Sequence, residues 1–66
     1  MIKAAYKEVE AARDNQNRIW ESYGEYARST HRHAMPLWNL RWSRACKRME
    51  AAVSAYRAAH RMQVAV

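Results

Sequence analysis

The sequence predicts an all-α protein arranged as an antiparallel hairpin of two long helices. Apolar residues recur at alternating spacings of three and four, which is the period of one face of a helix. The chain contains one glycine and one proline, so the residues that most often interrupt helices are nearly absent. No segment shows the strict alternation of a half-buried strand. We therefore expect residues 1–66 to form a single helical domain, with helices at about 2–29 and 36–64 and a connection at about 30–35.

The first helix is predicted by an apolar seam in which only Gln16 is clearly polar. The seam positions are Ile2, Ala5, Val9, Ala12, Gln16, Ile19, Tyr23 and Tyr26. Three further residues widen the seam on one side: Tyr6, Trp20 and Ala27. Residues 14–17 form the weakest stretch, because Asp and Asn are poor helix formers. A break near Asn15, which would give three helices, is the alternative. The i,i+4 spacing of Asp14 and Arg18 favours an unbroken helix.

Pro36 predicts where the second helix begins. Proline fits the first turn of a helix but disfavours helical geometry in the residue before it, so we expect Met35 to end the connection. The seam of the second helix comprises Trp38, Trp42, Ala45, Met49, Ala52, Tyr56, Ala59, Gln63 and Val66. Folding this helix back on the first would bring Tyr23 close to Trp42. Gly24 lies beside the seam, where the absence of a side chain could make room for a tryptophan. The alternative is that Gly24 is simply a glycine tolerated within a helix.

Positive charge is concentrated in the second part of the chain. The net charge is +6, yet residues 1–25 carry four basic and five acidic side chains, while residues 26–66 carry eight basic side chains and one acidic. Nine of the twelve bases are arginine, which binds carboxylates and phosphates through planar contacts. The residues predicted to bind an acidic partner or nucleic acid are Arg28, His31, Arg32, His33, Arg41, Arg44, Lys47 and Arg48. The alternative is a charged face that only keeps the protein in solution.

A second stripe at helical spacing runs along the C-terminal helix beside its seam. This outer stripe comprises Leu37, Arg41, Arg44, Arg48, Ala51, Ala55, Ala58 and Met62. Small residues let another helix approach closely, so the apolar members are predicted to form a helix-docking interface: Leu37, Ala51, Ala55, Ala58 and Met62. A domain of this size buries only about 60% of the surface that its unfolded chain exposes, so its stability is marginal. A homodimer forming a four-helix bundle would supply the missing stability. Alanine is also the best helix former, so exposure of this row to water is the alternative.

Residues that carry enzymatic or metal chemistry do not form a pattern. His31 and His33 are two apart and would diverge by about 200° on a helix, and Cys46 and His60 lie far along the chain. The carboxylates are scattered, and a phosphate-binding glycine loop is missing. We expect no enzyme activity, cofactor, metal or small-molecule substrate. A single cysteine excludes an internal disulfide, which fits a reducing compartment. Charges interrupt every apolar run, so we expect neither a membrane span nor a secretory signal. Together these observations favour a soluble, cytoplasmic protein.

Three functions are compatible with this pattern. The first is protein–protein interaction, as an inhibitor or adaptor of a larger and nucleic-acid-handling machine, in the manner of a phage-style antagonist. All seven aromatic residues are Trp or Tyr, which favour partly wet interfaces. The second is sequence-nonspecific nucleic-acid binding through phosphate contacts of the Arg-rich face. The third is peripheral binding to an anionic membrane surface. The sequence also leaves open whether the hairpin closes on itself or exchanges helices with a second copy.

Overall fold

The chain forms two helices, the first of which is bent. The computed structural model describes residues 2–64, and no strand occurs in that range. Helix α1 spans Ile2–Glu21, helix α2 spans Tyr23–Arg28 and helix α3 spans Ala34–Val64. Helices α1 and α2 are consecutive parts of one bent helix, separated by Ser22 alone. The prediction of an all-α chain is therefore confirmed.

The bend lies at Ser22 rather than near Asn15, and α1 is continuous through residues 14–17. The Ser22 hydroxyl donates a hydrogen bond of 2.6 Å to the carbonyl of Ile19. The indole N–H of Trp38 donates to the same carbonyl at 2.8 Å. Side-chain donors that insert at a helical carbonyl are a common cause of bends. The first helix, predicted to run unbroken over about 2–29, is thus bent by one local and one distant side chain.

The connection, residues 29–33, is organised by its own short side chains. The Ser29 hydroxyl accepts from the backbone N–H of His31 at 3.1 Å, and the His31 Nδ1 accepts from the N–H of His33 at 3.2 Å. Helix α3 begins at Ala34, two residues before the predicted start. Pro36 still falls in the first turn, where a backbone N–H has no partner inside the helix and its loss costs nothing.

The buried core consists of small residues and one tryptophan. Ala12 is 0% exposed and Ala45 is 1% exposed, with Ala34, Ala52 and Trp38 also buried. Because these alanines have short side chains, α1 and α3 can lie close together. Most of the two predicted seams are buried or half-buried, the exceptions being Tyr23 and Gln63, which are exposed. Val66, also predicted on the seam, lies outside the described residues.

An aromatic cluster packs where α3 meets the bend. Trp38 lies 4.9 Å from Tyr23 and 5.6 Å from Trp42, measured between ring centroids. Trp20 lies 5.5 Å from Trp42 and is 61% exposed, so it covers the cluster from outside. Tyr23 contacts Trp38, one turn before the Trp42 partner that the sequence suggested. Gly24 does not admit a tryptophan, since an added Cβ would meet only the Arg28 guanidinium, at 3.8 Å.

Candidate cationic interaction surface

Every member of the outer stripe is exposed, from Leu37 to Met62. This exposure follows from helix geometry, because each residue is rotated by about 100° around the helix axis from the one before it. When the seam of α3 faces α1, the stripe beside the seam faces solvent. Trp38, Ala45 and Ala52 occupy the seam and are buried. Arginine side chains and a row of alanines therefore share one exposed strip of α3.

Three arginines of α3 come together with residues of α1 in a shallow groove. The residues that line this arginine groove are Asn15, Ile19, Arg41, Arg44, Ala45 and Arg48. Ile19 and Ala45, which belong to the seam, are less exposed than the three arginines of the groove. The groove holds about 370 Å³ and is open to solvent. Because small-molecule pockets usually enclose most of their ligand, an open groove suits a side chain of a partner better than a small molecule.

Arg48 is already paired within the chain. Its Nε and one terminal nitrogen donate to the two carboxylate oxygens of Glu8 at 2.9 and 3.0 Å. The hydrogen bonds from Arg48 hold the pKa of the Glu8 carboxyl below its usual range, and the slight burial of Glu8 opposes them. The same hydrogen bonds raise the pKa of Arg48. Sequence reasoning placed Arg48 among the residues that bind an acidic partner or nucleic acid, and the structure adds that Arg48 already holds a carboxylate of its own chain.

The other two arginines of the groove differ from Arg48. The Arg41 guanidinium carbon lies 5.9 Å from the centroid of the Tyr26 ring, within the range of a cation–π contact. The Arg44 side chain makes no hydrogen bond or ion pair with any of residues 2–64. Arg44 is consequently the cation of the groove whose charge is most available to a partner.

The other residues of the predicted binding set lie outside the groove. Arg28, His31, Arg32 and His33 surround the connection, where Arg32 Nε donates to the Nε2 of His33 at 3.3 Å. The rings of His31 and His33 lie 5.5 Å apart. A second open space at this end is lined by Glu25, Tyr26, Ser29, His31, His33, Ala34 and Leu37. Lys47 is exposed but turned about 100° from Arg48 around the helix. The predicted binding set thus separates into the groove, the connection and one isolated lysine.

The apolar members of the outer stripe occupy both of its ends. Leu37 lines the space at the connection and is half-exposed. Ala51, Ala55, Ala58 and Met62 form an exposed row beyond the arginines. The structure therefore leaves the predicted docking residues exposed to solvent and accessible to another helix.

Sequence reasoning missed the α1–α2 contribution to the site. Glu8 and Arg48 are 40 residues apart, so no i,i+4 rule could pair them. Tyr26 was assigned to the seam, yet its ring also supports Arg41. Asn15 was considered only as a helix breaker and lines the groove. The only indication in the sequence was that Glu8 and Asn15 each directly precede a seam residue, which places both residues beside the face of α1 that packs on α3.

No three His, Cys, Asp or Glu side chains gather into a metal-ligand set within residues 2–64. Cys46 is half-buried, and the Gln16 amide donates to its sulfur at 3.5 Å. None of the helices combines the length and the apolar character needed to cross a bilayer, in the part of the chain that the structure describes.

Comparison with protein-family models, curated proteins and solved structures finds no match. The surface itself is therefore the basis for inferring function.

Proposed function

We propose that this chain is a small, basic, non-enzymatic binding protein that acts by protein–protein contact, as an inhibitor or adaptor of a larger machine. Its binding surface is the outer stripe of α3. The observation that carries the proposal is the arginine groove, in which Arg41, Arg44 and Arg48 converge beside an exposed row of alanines. Arginine is enriched at protein interfaces, and small apolar residues permit close helix contact.

The mixed chemistry of the outer stripe favours a protein partner over nucleic acid. Nucleic-acid binding without sequence preference draws its affinity from many cations that replace counterions on phosphates. The stripe has only three arginines, and the exposed residues beyond them are apolar. A flat row of alanines also contributes nothing to a phosphate contact. An acidic protein surface with an apolar border would use both parts of the stripe.

Nucleic-acid binding remains the second candidate, favoured by a different set of residues. Arg28, Arg32 and the two histidines crowd the connection, and Trp20 is largely exposed on the aromatic cluster. Exposed aromatic rings next to cations suit single-stranded nucleic acid, whose bases stack on them. A peripheral membrane role is the weakest of the three, because most seam residues already pack between α1 and α3.

We also infer that the two helices act as an antiparallel hairpin that pairs with a second copy. Three cross-helix contacts support the hairpin: Tyr6 with Tyr56, Gln16 with Cys46, and Ile19 with Trp38. As the residue numbers of these contacts increase along α1, those of their partners on α3 decrease, which is the pattern of two antiparallel helices. For the dimer, the exposed row of Ala51, Ala55, Ala58 and Met62 is the support. A second copy would occupy this row only while the acidic partner is absent, because both would use Ala51 and Ala55. An antiparallel meeting of two α3 helices through this row would keep the groove arginines of the two copies apart.

Charge reversal at Arg44 tests the proposed function. Tagged wild-type protein should capture a partner protein from a nuclease-treated cell lysate. Arg44→Glu should reduce that capture at least tenfold, because the new negative charge would face the acidic surface of the partner. Arg57→Glu is the matched control: Arg57 is an exposed arginine of the same helix, turned away from the outer stripe. Capture by this control should equal that of the wild type.

Two results would contradict the proposal. If nuclease treatment removes all captured material, nucleic acid is the ligand and the second candidate replaces the first. If Arg44→Glu and Arg57→Glu lose the partner equally, net charge rather than the groove controls binding. Circular dichroism of both variants should match the wild type, which ensures that the comparison reports on binding.

A further inference from the structure

The contact between Glu8 and Arg48 is the one ion pair among residues 2–64. It joins α1 to α3 at the wall of the arginine groove, through the two-point geometry that any carboxylate would use on a guanidinium. The pair thus shows, within the chain, the contact that an acidic partner would make. It also occupies one of the three arginines that the partner would need.

This ion pair can be replaced without disturbing the core. The side chains of Arg48 and Glu8 are 43% and 46% exposed, so water reaches both. Exposed ion pairs contribute little to stability, because solvent screens them and ordering two long side chains is costly. The buried contacts of Ala12 and Ala45 hold the helices together independently of it. Release of Glu8 would therefore free Arg48 while leaving the two helices in place.

We propose that Glu8 is an internal competitor, which holds Arg48 until a carboxylate of the partner takes its place, and that the groove receives an acidic helix. This rests on the proposed function. Arg41, Arg44 and Arg48 follow the three-four spacing of one helix face and extend over about 10 Å. A partner helix with carboxylates one turn apart would match them. Farther along the stripe, the same helix would meet Ala51 and Ala55, which admit close approach.

A synthetic peptide tests this occupant directly. The probe is a helix-forming peptide of about 15 residues, rich in alanine, with glutamates at positions i, i+3 and i+7, and its control carries glutamines there. Titration calorimetry at fixed salt gives the affinity, and the side-chain Nε–H signals of the arginines in NMR spectra locate the contact. The acidic peptide should shift the signals of Arg41, Arg44 and Arg48, and the glutamine peptide should not.

The decisive comparison is Glu8→Gln against Glu10→Gln. Both variants remove one negative charge from α1, but Glu10 is in no ion pair with a described residue. Glu8→Gln should bind the acidic peptide about two- to fivefold more tightly than the wild type, the range expected from loss of one exposed ion pair. Glu10→Gln should bind as the wild type does. Circular dichroism should show unchanged helix content in both variants.

Several outcomes would overturn the inference. Equal gains in the two variants would mean that net charge, not release of Arg48, sets the affinity. A gain seen with a single-stranded oligonucleotide or inorganic phosphate but not with the peptide would exclude the acidic helix. These failures can be told apart from failure of the proposed function. Loss of lysate capture in Arg44→Glu, without any effect of Glu8→Gln on peptide affinity, would overturn only the role of Glu8.

Discussion

Replacing Trp38 with alanine should lower the free energy of unfolding by about 3–5 kcal/mol, the usual cost of removing a buried aromatic side chain. Trp38 is 5% exposed and is the only large side chain in the buried core of residues 2–64. It packs on Trp20, Tyr23 and Trp42, and its indole N–H donates to the carbonyl of Ile19. The total stability of a domain this small is of similar size. The variant should therefore be largely unfolded at room temperature, as measured by circular dichroism and urea titration.

Trp20→Ala is the matched control for Trp38→Ala. Trp20 belongs to the same cluster but is 61% exposed, so its removal uncovers neighbours without leaving a cavity. A cost of about 1 kcal/mol is expected, close to that of one aromatic pair. If the two variants are equally destabilised, the assignment of Trp38 to the core and of Trp20 to the surface is wrong.

Ala12→Leu should be the second most damaging substitution. Ala12 is 0% exposed, so a larger side chain there has no free space. The added atoms would push α1 away from α3, at a cost of about 1–3 kcal/mol or more. Urea titration should show an earlier midpoint, and the shift should exceed that of Ala11→Leu, because Ala11 is exposed on the same helix.

Ala11→Leu introduces the same side chain at a neighbouring position with similar helix propensity. Its effect should stay within about 0.5 kcal/mol of the wild type, as for ordinary surface changes. Equal effects at positions 11 and 12 would show that α1 does not present Ala12 to α3. The pair of variants therefore reports on the rotation of α1 about its own axis.

The helical class of the fold could be predicted because the spacing of apolar residues directly reflects which side chains face a neighbour. Ala12, Ala45 and Ala52 were placed on the seams by spacing alone, and all three are buried. The exposure of the outer stripe follows from the same arithmetic, since Arg44 and Ala55 fall outside the arc that faces α1. Periodicity thus locates faces well.

Features that depend on distant residues could not be predicted. The bend at Ser22 involves the indole of Trp38, and nothing near Ser22 in the sequence announces that donor. Residues 14–17 look weaker locally but remain helical. Tyr23 packs on Trp38 rather than on Trp42, because periodicity identifies a face without specifying the offset between two helices.

Sequence periodicity grouped the three arginines of the groove but did not predict their neighbours. Arg41, Arg44 and Arg48 could be grouped from their spacing, and they do line one groove. Whether each guanidinium is free depends on which residues of the bent helix lie opposite. Glu8 meets Arg48 and Tyr26 meets Arg41, whereas Arg44 has no such partner among the described residues. These differences, invisible in the sequence, decide which arginine is most available.

The packing of α1 against α3 within one chain is the claim on which the groove and its proposed partner depend. The Gln16 amide lies 3.5 Å from the sulfur of Cys46, the only cysteine in the chain. A short reagent that cross-links two thiols should therefore join Cys46 to the introduced thiol of Gln16→Cys within one chain, as identified by mass spectrometry of tryptic peptides. Asn17→Cys, exposed on the next position of α1, should form far less of this cross-link. Cross-linked dimers from Gln16→Cys, or equal yields from the two variants, would contradict the account.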